Sequence, residues 1–387
     1  MKRRPLGGLI LAVVAVVLTL GALELGVRLL VPQDLDYFNS TKLRRPSTRP
    51  GWTWELVPGA RSESYVGVPV TINALGLRDD EIAVPKPRGT VRILAVGDSV
   101  TFGYGVRLEE TFVKQLQRRL NAAAGPGIRY EVVNAGVEAT GLDQYYQFLA
   151  SQGRELEPDL VIVDLALNDI YPYAEGGATT PSRPSPVARA VRAVNGGLLS
   201  HSQLYLLSYM RVKSLLYRTG VLDINRVHDY DFLPLEPPSE RQARAWRMTY
   251  AWLGRIVALT RERGWPLALV VFPEEVQLGP ASLALYHREF GTTLGPEVLD
   301  GEPQRRIVEF GRAHEVPVID LLPAFRRAGD EPLYLRNRAI SFDPVHPSPH
   351  GHRVAAAALS EALGPALVRG GPPAAPSARV STLNGTP

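Results

Sequence analysis

The chain alternates between short apolar segments typical of buried strands and longer segments with the apolar periodicity of helices. The strand-like segments are rich in β-branched residues and about six residues long, which suits strands covered on both faces. They are Val91–Val96, Tyr130–Ala135, Leu160–Leu165, Leu267–Phe272 and Val316–Leu321. Strands separated by helices are joined by right-handed crossovers into a parallel sheet with helices on both faces. We therefore predict an α/β fold of the flavodoxin-like kind, a three-layer α/β/α sandwich around a five-stranded parallel sheet.

Start and stop signals in the intervening segments predict the helices. A stripe of apolar residues at helical spacing begins at Phe112. Ser239 and Gln242 form a capping box that begins a long helix, and Gly264 is expected to end it. Gly153 is expected to close the helix that follows the second strand. The remaining helices are predicted around Gln304–Ala313 and over residues 348–363.

Small and polar residues follow the ends of three different predicted strands. Ser99 comes directly after the first strand, Gly136 after the second and Asn168 after the third. Ligands of open α/β sheets bind beyond the carboxyl ends of the strands. We therefore expect these three residues to meet at one edge of the sheet, where a binding or catalytic site would lie.

A serine hydroxyl is a poor nucleophile unless a base removes its proton and donors stabilise the oxyanion that forms. Asp343 precedes His346 by three residues, a spacing that allows one short loop to present both side chains. The carboxylate could then hold Nδ1–H of the imidazole while Nε2 faces Ser99. His350 and His352 lack an acid three residues earlier and are expected to face solvent or to pack in the core.

Taken in order, these segments resemble the four sequence blocks of the SGNH/GDSL hydrolase family. The blocks are Gly97-Asp98-Ser99, Asn134-Ala135-Gly136, Asn168-Asp169 and Asp343-x-x-His346, and the resemblance covers about Arg92 to Leu363. The stretch "INALGLRDDEI…RILAVGDSVTFGYGV" further resembles a group of membrane-anchored bacterial members. The third block of the family usually reads Gly-x-Asn-Asp, whereas this chain has alanine at position 166.

The resemblance implies a role for each of five residues. Ser99 would be the nucleophile, His346 the base, and Asp343 the carboxylate that orients the imidazole. The Ser99 amide, the Gly136 amide and the Asn168 side chain would form the oxyanion hole. No cofactor and no metal would be needed. Asp98 is expected instead to accept backbone N–H bonds in its turn.

The predicted function is that of a serine ester hydrolase acting on O-acyl or O-acetyl esters of a carbohydrate or a lipid. An O-acyltransferase that modifies an exported polysaccharide would use the same residues, because only the acceptor differs. A non-catalytic glycan- or wall-binding protein on this fold is the third possibility. A magnesium site for phosphoryl chemistry is a weaker alternative, because its candidate carboxylates lack ligand spacing and the Asp343/His346 pair would be unused. Those carboxylates are Asp98, Asp169, Glu274 and Glu275.

The N-terminus has the composition of a membrane anchor. Three cations at positions 2–4 precede an uncharged run from Leu6 to Leu23, which is about 27 Å long as a helix and close to the thickness of a bilayer core. The cations should remain in the cytoplasm, so the rest of the chain would lie outside. A cleaved signal peptide is the alternative, although its apolar run is usually shorter. Glu24 and Arg28 are spaced to form an ion pair just after the run.

These features divide the chain into an anchor at residues 1–31, a stalk with an irregular extension at 32–86, a hydrolase-like domain at 87–368 and a disordered tail at 369–387. Residues 171–238 are an insertion in which amphipathic helices are predicted at Val187–Val194 and Gln203–Tyr217. From Gly176 to Leu222 the insertion has basic residues and no acid. It could cap the rim of the site, rest on anionic lipid headgroups, or pack as an ordinary helical insertion.

Charge and cysteine content narrow the possible partners. The formal net charge is only +4 and no dense block of Lys and Arg occurs, which disfavours nucleic-acid binding. The chain has no cysteine, so disulfides, thiolate metal sites and a cysteine nucleophile are excluded. The expected partners are a small-molecule or glycan ester and the membrane.

Overall fold

The fold is that of a computed structural model, which describes residues 5–33, 35, 42–49, 51–52, 54–170, 186–219, 221, 239–290, 294–329, 331–336 and 343–368. The three N-terminal cations, the ends of the predicted insertion and the predicted disordered tail lie outside these residues.

Twelve α-helices and nine strands are described, together with several single 3₁₀ turns. The strands are β1 Arg44–Pro46, β2 Trp54–Leu56, β3 Arg61–Tyr65, β4 Val68–Thr71, β5 Thr90–Gly97, β6 Arg129–Gly136, β7 Leu160–Ala166, β8 Leu267–Phe272 and β9 Val318–Asp320. The first six helices are α1 Pro5–Leu30, α2 Ser99–Phe102, α3 Phe112–Ala122, α4 Leu142–Ala150, α5 Gln152–Glu155 and α6 Pro186–His201. The others are α7 Gln203–Arg218, α8 Glu240–Glu262, α9 Pro280–Phe290, α10 Glu302–Ala313, α11 Leu322–Arg326 and α12 Pro349–Val368.

The central sheet has the predicted five strands in the order β6-β5-β7-β8-β9, and every neighbouring pair is parallel. This is the flavodoxin-like order, so the predicted fold class is confirmed. In the β5–β6 ladder Gly97 lies opposite Gly136. The ends of these two strands are therefore level at the carboxyl edge of the sheet.

Two apolar cores cover the two faces of the sheet. On one face α3, α11 and α12 pack against the side chains at odd positions of β5, such as Ile93. On the other face α4, α8 and α10 pack against the even positions, such as Leu94. Because successive residues of a strand point to opposite faces, a strand buried on both sides is apolar at most of its positions. This explains the mainly apolar segments in the sequence.

Capping signals set most helix ends as predicted, with one correction. Ser239 and Gln242 do form the capping box of α8. Gly153, however, does not close a helix: α4 ends at Ala150, and Gly153 lies inside the short α5. A Cβ at Gly153 would be in tight contact with the Phe148 carbonyl, which explains the glycine by packing rather than by termination.

The last strand is shorter than predicted, starting at Val318 rather than at position 316. Pro317 explains this difference because proline has no N–H to give to a sheet ladder. Its carbonyl still accepts a bond from Leu269 N–H.

The region before the central sheet has structure that the sequence does not predict. β1 pairs with β2 and β3 with β4, each pair antiparallel. Their apolar side chains form a third, small core with Phe102 and Val137, which follow β5 and β6. The strand pairs between residues 44 and 71 therefore lie at the carboxyl edge of the sheet, beside the turns that follow Ser99 and Gly136.

The predicted N-terminal helix and both insertion helices are present. In α1, Ile10–Leu30 is long and apolar enough to cross a membrane, and none of it is buried within the protein. α6 and α7 extend the two predicted amphipathic segments. α7 packs against both α1 and α9, so it links the N-terminal helix to the domain.

We expect Arg92→Leu to lower the free energy of unfolding by about 3–5 kcal/mol, because it leaves buried partners uncompensated. The Arg92 side chain is fully buried and pairs with Glu131 at 2.5 Å. It also donates to the carbonyls of Leu156 and Ala83 at 2.8 Å. Urea denaturation of both variants would measure the difference. Arg129→Leu, at an exposed arginine of neighbouring β6, is the matched control and should change stability by no more than about 0.5 kcal/mol. Equal losses would contradict the expectation.

Candidate active site

Ser99 lies at the first residue of α2, immediately after the end of β5. The Asp98 carboxylate caps this helix, accepting a bond from Val100 N–H at 2.8 Å. Gly103 ends it with a left-handed backbone, φ 85°. The chain therefore leaves the buried strand, makes one helical turn and presents the Ser99 side chain at the sheet edge.

A loop before α12 holds the predicted acid and imidazole. The Asp343 carboxylate accepts bonds from the backbone N–H groups of Val345 and His346, so the turn closes on its own side chain. A backbone bond from Leu335 N–H to the His346 carbonyl fixes the loop against the residues before it. The Asx-type turn explains why the acid and the histidine are three residues apart.

The structure brings Ser99, His346 and Asp343 together in one line of contacts. Nδ1 of His346 is 2.8 Å from Oδ2 of Asp343. Nε2 of the same ring is 2.9 Å from Oγ of Ser99. Asp343 and Ser99 are buried, and the imidazole is mostly covered. Both distances are those of hydrogen bonds.

Asp343 and His346 each stabilise the charged form of the other. Burial alone would lower the pKa of His346, but the facing Asp343 carboxylate raises it, and the pKa is raised overall. Burial alone would raise the pKa of Asp343, but His346 and the backbone donors of the turn lower it, and the pKa is lowered overall. Asp343 is therefore an anion at neutral pH, suited to stabilise a positive imidazolium.

Three groups near Ser99 can donate hydrogen bonds to an oxyanion, and they differ in whether their hydrogens already have a partner. Ser99 N–H has no partner among the described residues, as expected for the first amide of a helix. Asn168 is the exposed residue of the 3₁₀ turn after β7. It gives one Nδ2 hydrogen to Asp98 Oδ2 at 3.2 Å, leaving the other hydrogen for a ligand. The Gly136 N–H donates to Asn134 Oδ1 at 3.0 Å. Gly136 would have to share that hydrogen with an oxyanion.

The two unusual small residues of the site have clear structural explanations. A Cβ on Gly136 would overlap the backbone of Thr101 and Phe102, so only glycine allows α2 to pack this closely on β6. Ala166, where the resembling family has glycine, has φ −75° and ψ 148°. Any residue adopts that conformation, so alanine leaves the path to Asn168 undistorted.

A cluster of buried carboxylates lies beneath Ser99. Burial raises the pKa of Asp98, Asp164 and Asp169, and each of the latter two is raised further by its acidic neighbours. Thr101 Oγ1 donates to Asp164 at 2.7 Å, and Tyr145 donates to Asp169 at 3.0 Å. Among the described residues no group of three or more His, Asp or Glu has the geometry to hold a metal ion.

The other histidines of the closing segment lie away from Ser99. His352 is fully buried, accepts a bond from Phe112 N–H at 3.1 Å and stacks on that ring. Burial lowers its pKa to about 3, so it stays neutral. His350 lies beside Glu331 at 2.7 Å. His352 is thus a packing residue, one of the two roles expected for it.

The sequence missed the contribution of the residues before the sheet. Arg78 is buried and donates to the carbonyls of Phe102 and Val106, which fastens the turn that follows α2. The Tyr104 ring of that turn lies 4.2 Å from the His346 ring, between centroids. The motif "INALGLRDDEI" contains Arg78, so the resemblance pointed to this region without revealing its contact.

Tyr65 and Glu138 form a second contact of the N-terminal hairpins with the site. Tyr65 O–H donates to Glu138 Oε2 at 2.6 Å, and its ring meets the Tyr104 ring edge-on. Burial raises the pKa of Glu138. No sequence signal links a tyrosine at position 65 to an acid 73 residues later.

Taken together, the arrangement has the parts of an acyl-transfer site. A hydroxyl contacts an imidazole, the imidazole contacts a carboxylate, and two groups with unused hydrogens face the same edge. The ring nitrogen near Ser99 can accept a proton, while the carboxylate favours the charged ring that results.

A family model described as "GDSL-like Lipase/Acylhydrolase family" matches residues 95–354, about two thirds of the chain. A search of curated proteins found no match.

Solved structures that resemble the fold include esterases. A structure described as TesA is 15% identical, with 71% of this chain and 98% of that chain covered and a TM-score of 0.40. A variant of Axe2, an acetyl-xylooligosaccharide esterase from Geobacillus, is 17% identical over 70% of this chain and 93% of that one, with a TM-score of 0.39. The acetyl xylan esterase AlAXEase is 14% identical over 70% and 100%, with a TM-score of 0.40.

We expect the His346 imidazole to titrate above the ordinary histidine value of about 6.5, because Asp343 stabilises its charged form. Asp343→Asn should remove that stabilisation and lower the pKa of His346. NMR of isotope-labelled histidine would follow the titration, with His346→Gln identifying the signal. His352 is an internal control, since it should remain neutral in both proteins. An unchanged His346 titration in Asp343→Asn would contradict the coupling.

Proposed function

The chain belongs to the GDSL-like lipase/acylhydrolase family, and on that premise we propose that it is a serine ester hydrolase. Ser99 is the nucleophile, His346 the general base and Asp343 the carboxylate that orients the imidazole. The observation that carries this proposal is the 2.9 Å contact between Ser99 Oγ and His346 Nε2. It joins two residues that are 247 positions apart in the chain.

The reaction runs in two steps. His346 Nε2 takes the hydroxyl proton as Ser99 Oγ attacks the ester carbonyl, and the imidazolium is stabilised by Asp343. The proton then passes to the departing alcohol, which leaves an acyl group on Ser99. Water attacks this acyl-enzyme with His346 again as the base, and the acid product leaves.

The tetrahedral intermediate carries a negative charge that needs donors. The Ser99 amide at the start of α2 and the free hydrogen of the Asn168 amide supply two of them, and the helix N-terminus favours the same charge. Asp98 has a positioning role, because its bond to Asn168 fixes the plane of that amide. The Gly136 amide serves as the third donor by sharing its hydrogen between Asn134 and the oxyanion.

The substrate we propose is an O-acyl or O-acetyl ester of a carbohydrate or lipid outside the cytoplasmic membrane. The apolar α1 is the supporting feature, because a retained helix with cations before it would keep the N-terminus in the cytoplasm. The proposed site uses only side chains and backbone amides, so this mechanism involves no cofactor, and no nucleic-acid partner is proposed.

We expect the activity to depend on pH through the imidazole. Only neutral His346 can accept the Ser99 proton, so turnover should fall as pH falls through the raised pKa of that ring. The midpoint of this fall in activity should therefore equal the pKa of the His346 ring measured by NMR.

Ser99→Ala should reduce turnover of a chromogenic acetyl ester by about 10⁴-fold or more, because no other hydroxyl occupies the position opposite His346 Nε2. Its thermal unfolding should match the native protein. Ser151→Ala, at an exposed serine, is the matched control and should keep both turnover and labelling by a fluorophosphonate probe. Retained turnover in Ser99→Ala would rule out the assignment.

Asn168→Ala should lower kcat by about 10²–10³-fold with little change in KM, the usual cost of one oxyanion donor. Asn168→Asp should lose at least as much, because it would place a carboxylate against both Asp98 and the developing oxyanion. The second variant has nearly the same shape, so it separates loss of the donor from loss of packing. Steady-state kinetics with the same ester would test both, and an unchanged kcat in either would exclude Asn168 from the oxyanion hole.

A further inference from the structure

We propose that helices α6 and α7 form a membrane-surface element, the α6–α7 pair, that binds the outer face of the bilayer crossed by α1. The inference rests on the proposed membrane anchor and adds a second contact with the same membrane. With this second contact, the catalytic domain lies against the lipid surface at a fixed distance from it and is not joined to it by a flexible linker alone.

The corner between α6 and α7 is clamped to α1 by hydrogen bonds. The Glu24 carboxylate accepts bonds from Ser202 Oγ at 2.8 Å and from the N–H groups of Gln203 and Leu204 at 3.0 and 2.9 Å. It is thus the cap of α7, supplied by another helix. One turn further along α1, Arg28 donates to the His201 carbonyl at 3.0 Å and pairs with Glu24 at 2.7 Å.

The position of the clamp along α1 sets the height of the α6–α7 pair. The uncharged run ends at Leu23, and about 27 Å of helix precedes it, nearly the whole thickness of a bilayer core. Glu24 is therefore the first residue at the outer boundary of the bilayer. Any element bonded to its carboxylate lies at that boundary too. The α6–α7 pair is placed there by these hydrogen bonds, independently of its own composition.

The exposed face of α6 has the composition that this position requires. Val187, Val191, Val194 and Leu198 recur at steps of four, three and four residues, so they share one side of the helix. They are 72%, 61%, 63% and 41% exposed. Leu199, about 100° around the helix from Leu198, is buried against the rest of the protein.

Charge and continuity point to lipid as the occupant of this face. The segment from Gly176 to Leu222 has no acid and six basic residues, the sign that anionic headgroups attract. The exposed apolar surface of α1 continues past the clamp into the headgroup region, where Leu29 and Leu30 are 73% and 83% exposed. An apolar helix face joined to the end of a membrane-spanning helix is covered by the same bilayer.

A chain of contacts carries this placement to the active site. α7 packs on α9, and α9 packs on the 3₁₀ turn Glu275–Gln277. In that turn Glu275 N–H donates to the carbonyl of Pro344, one residue after Asp343. The loop that holds His346 is therefore connected to the membrane clamp through packed elements only.

The absence of cysteine makes a depth measurement direct. Val191→Cys and Val194→Cys would each carry an environment-sensitive fluorophore in the full chain, reconstituted in nanodiscs of phosphatidylethanolamine and phosphatidylglycerol. Lipids with a nitroxide just below the headgroup should quench both probes severalfold more than they quench one at Ile128→Cys. Ile128 is the matched control, an exposed apolar residue at the opposite end of the sheet. Val17→Cys, within α1, should be quenched most by a nitroxide at the chain end.

Two results would overturn the inference. One is that lipid nitroxides quench the probes at positions 191 and 194 no more than the probe at 128. That result would mean that water or protein, and not lipid, surrounds the exposed face of α6. The other is a mature N-terminus, by mass spectrometry, that lacks α1, because the clamp could not then exist. Neither result touches the proposed chemistry, which fluorophosphonate labelling of Ser99 in the same nanodiscs tests separately.

Discussion

The close packing of α2 against the carboxyl edge of the sheet is the constraint on which the site depends. Gly97 and Gly136 lie opposite each other at the ends of β5 and β6, and a Cβ on either would overlap α2. The helix has only one turn, too short to be stable by itself. It keeps its position because the sheet edge, the Asp98 cap and the Arg78 bonds hold it from three sides. The packing of α2 therefore determines the direction in which the Ser99 side chain points.

The electrostatics around Ser99 follow from the same burial. Three carboxylates beneath it have raised pKa values because water cannot reach them. Asp343 differs from them in having an imidazole and two backbone donors, which lower its pKa despite similar burial. The site thus separates carboxyl groups that burial drives towards the neutral form from one that its partners keep charged. Only the charged one is in line with His346.

The sequence predicted the parts of the molecule that depend on local patterns. Apolar strands, the capping box of Ser239 and the Asp343-x-x-His346 turn are each written within a few residues, and all are present. What it missed depends on contacts between distant segments. The sequence does not predict the strand pairs before the sheet, because their strands are short and polar on one face. It wrongly predicts a helix end at Gly153, because a glycine required for packing looks the same in sequence as one that ends a helix. The Gly136 N–H donates to the Asn134 side chain, and no sequence pattern specifies the orientation of that side chain.

Segments before the central sheet and the last helix both lie beside the candidate active site, so the N-terminal region does more than lead into the domain. Tyr65 at the end of β3 bonds to Glu138, and Arg78 in the loop after β4 bonds to the turn that follows Ser99. On the other side of the sequence, α12 begins three residues after His346. α1 then joins the same body through the clamp of Glu24 on α7. A tether alone would need no such contacts. Because α1, the insertion helices and the loop that holds His346 are packed one against the next, the membrane contact that we propose would also set the orientation of the candidate active site.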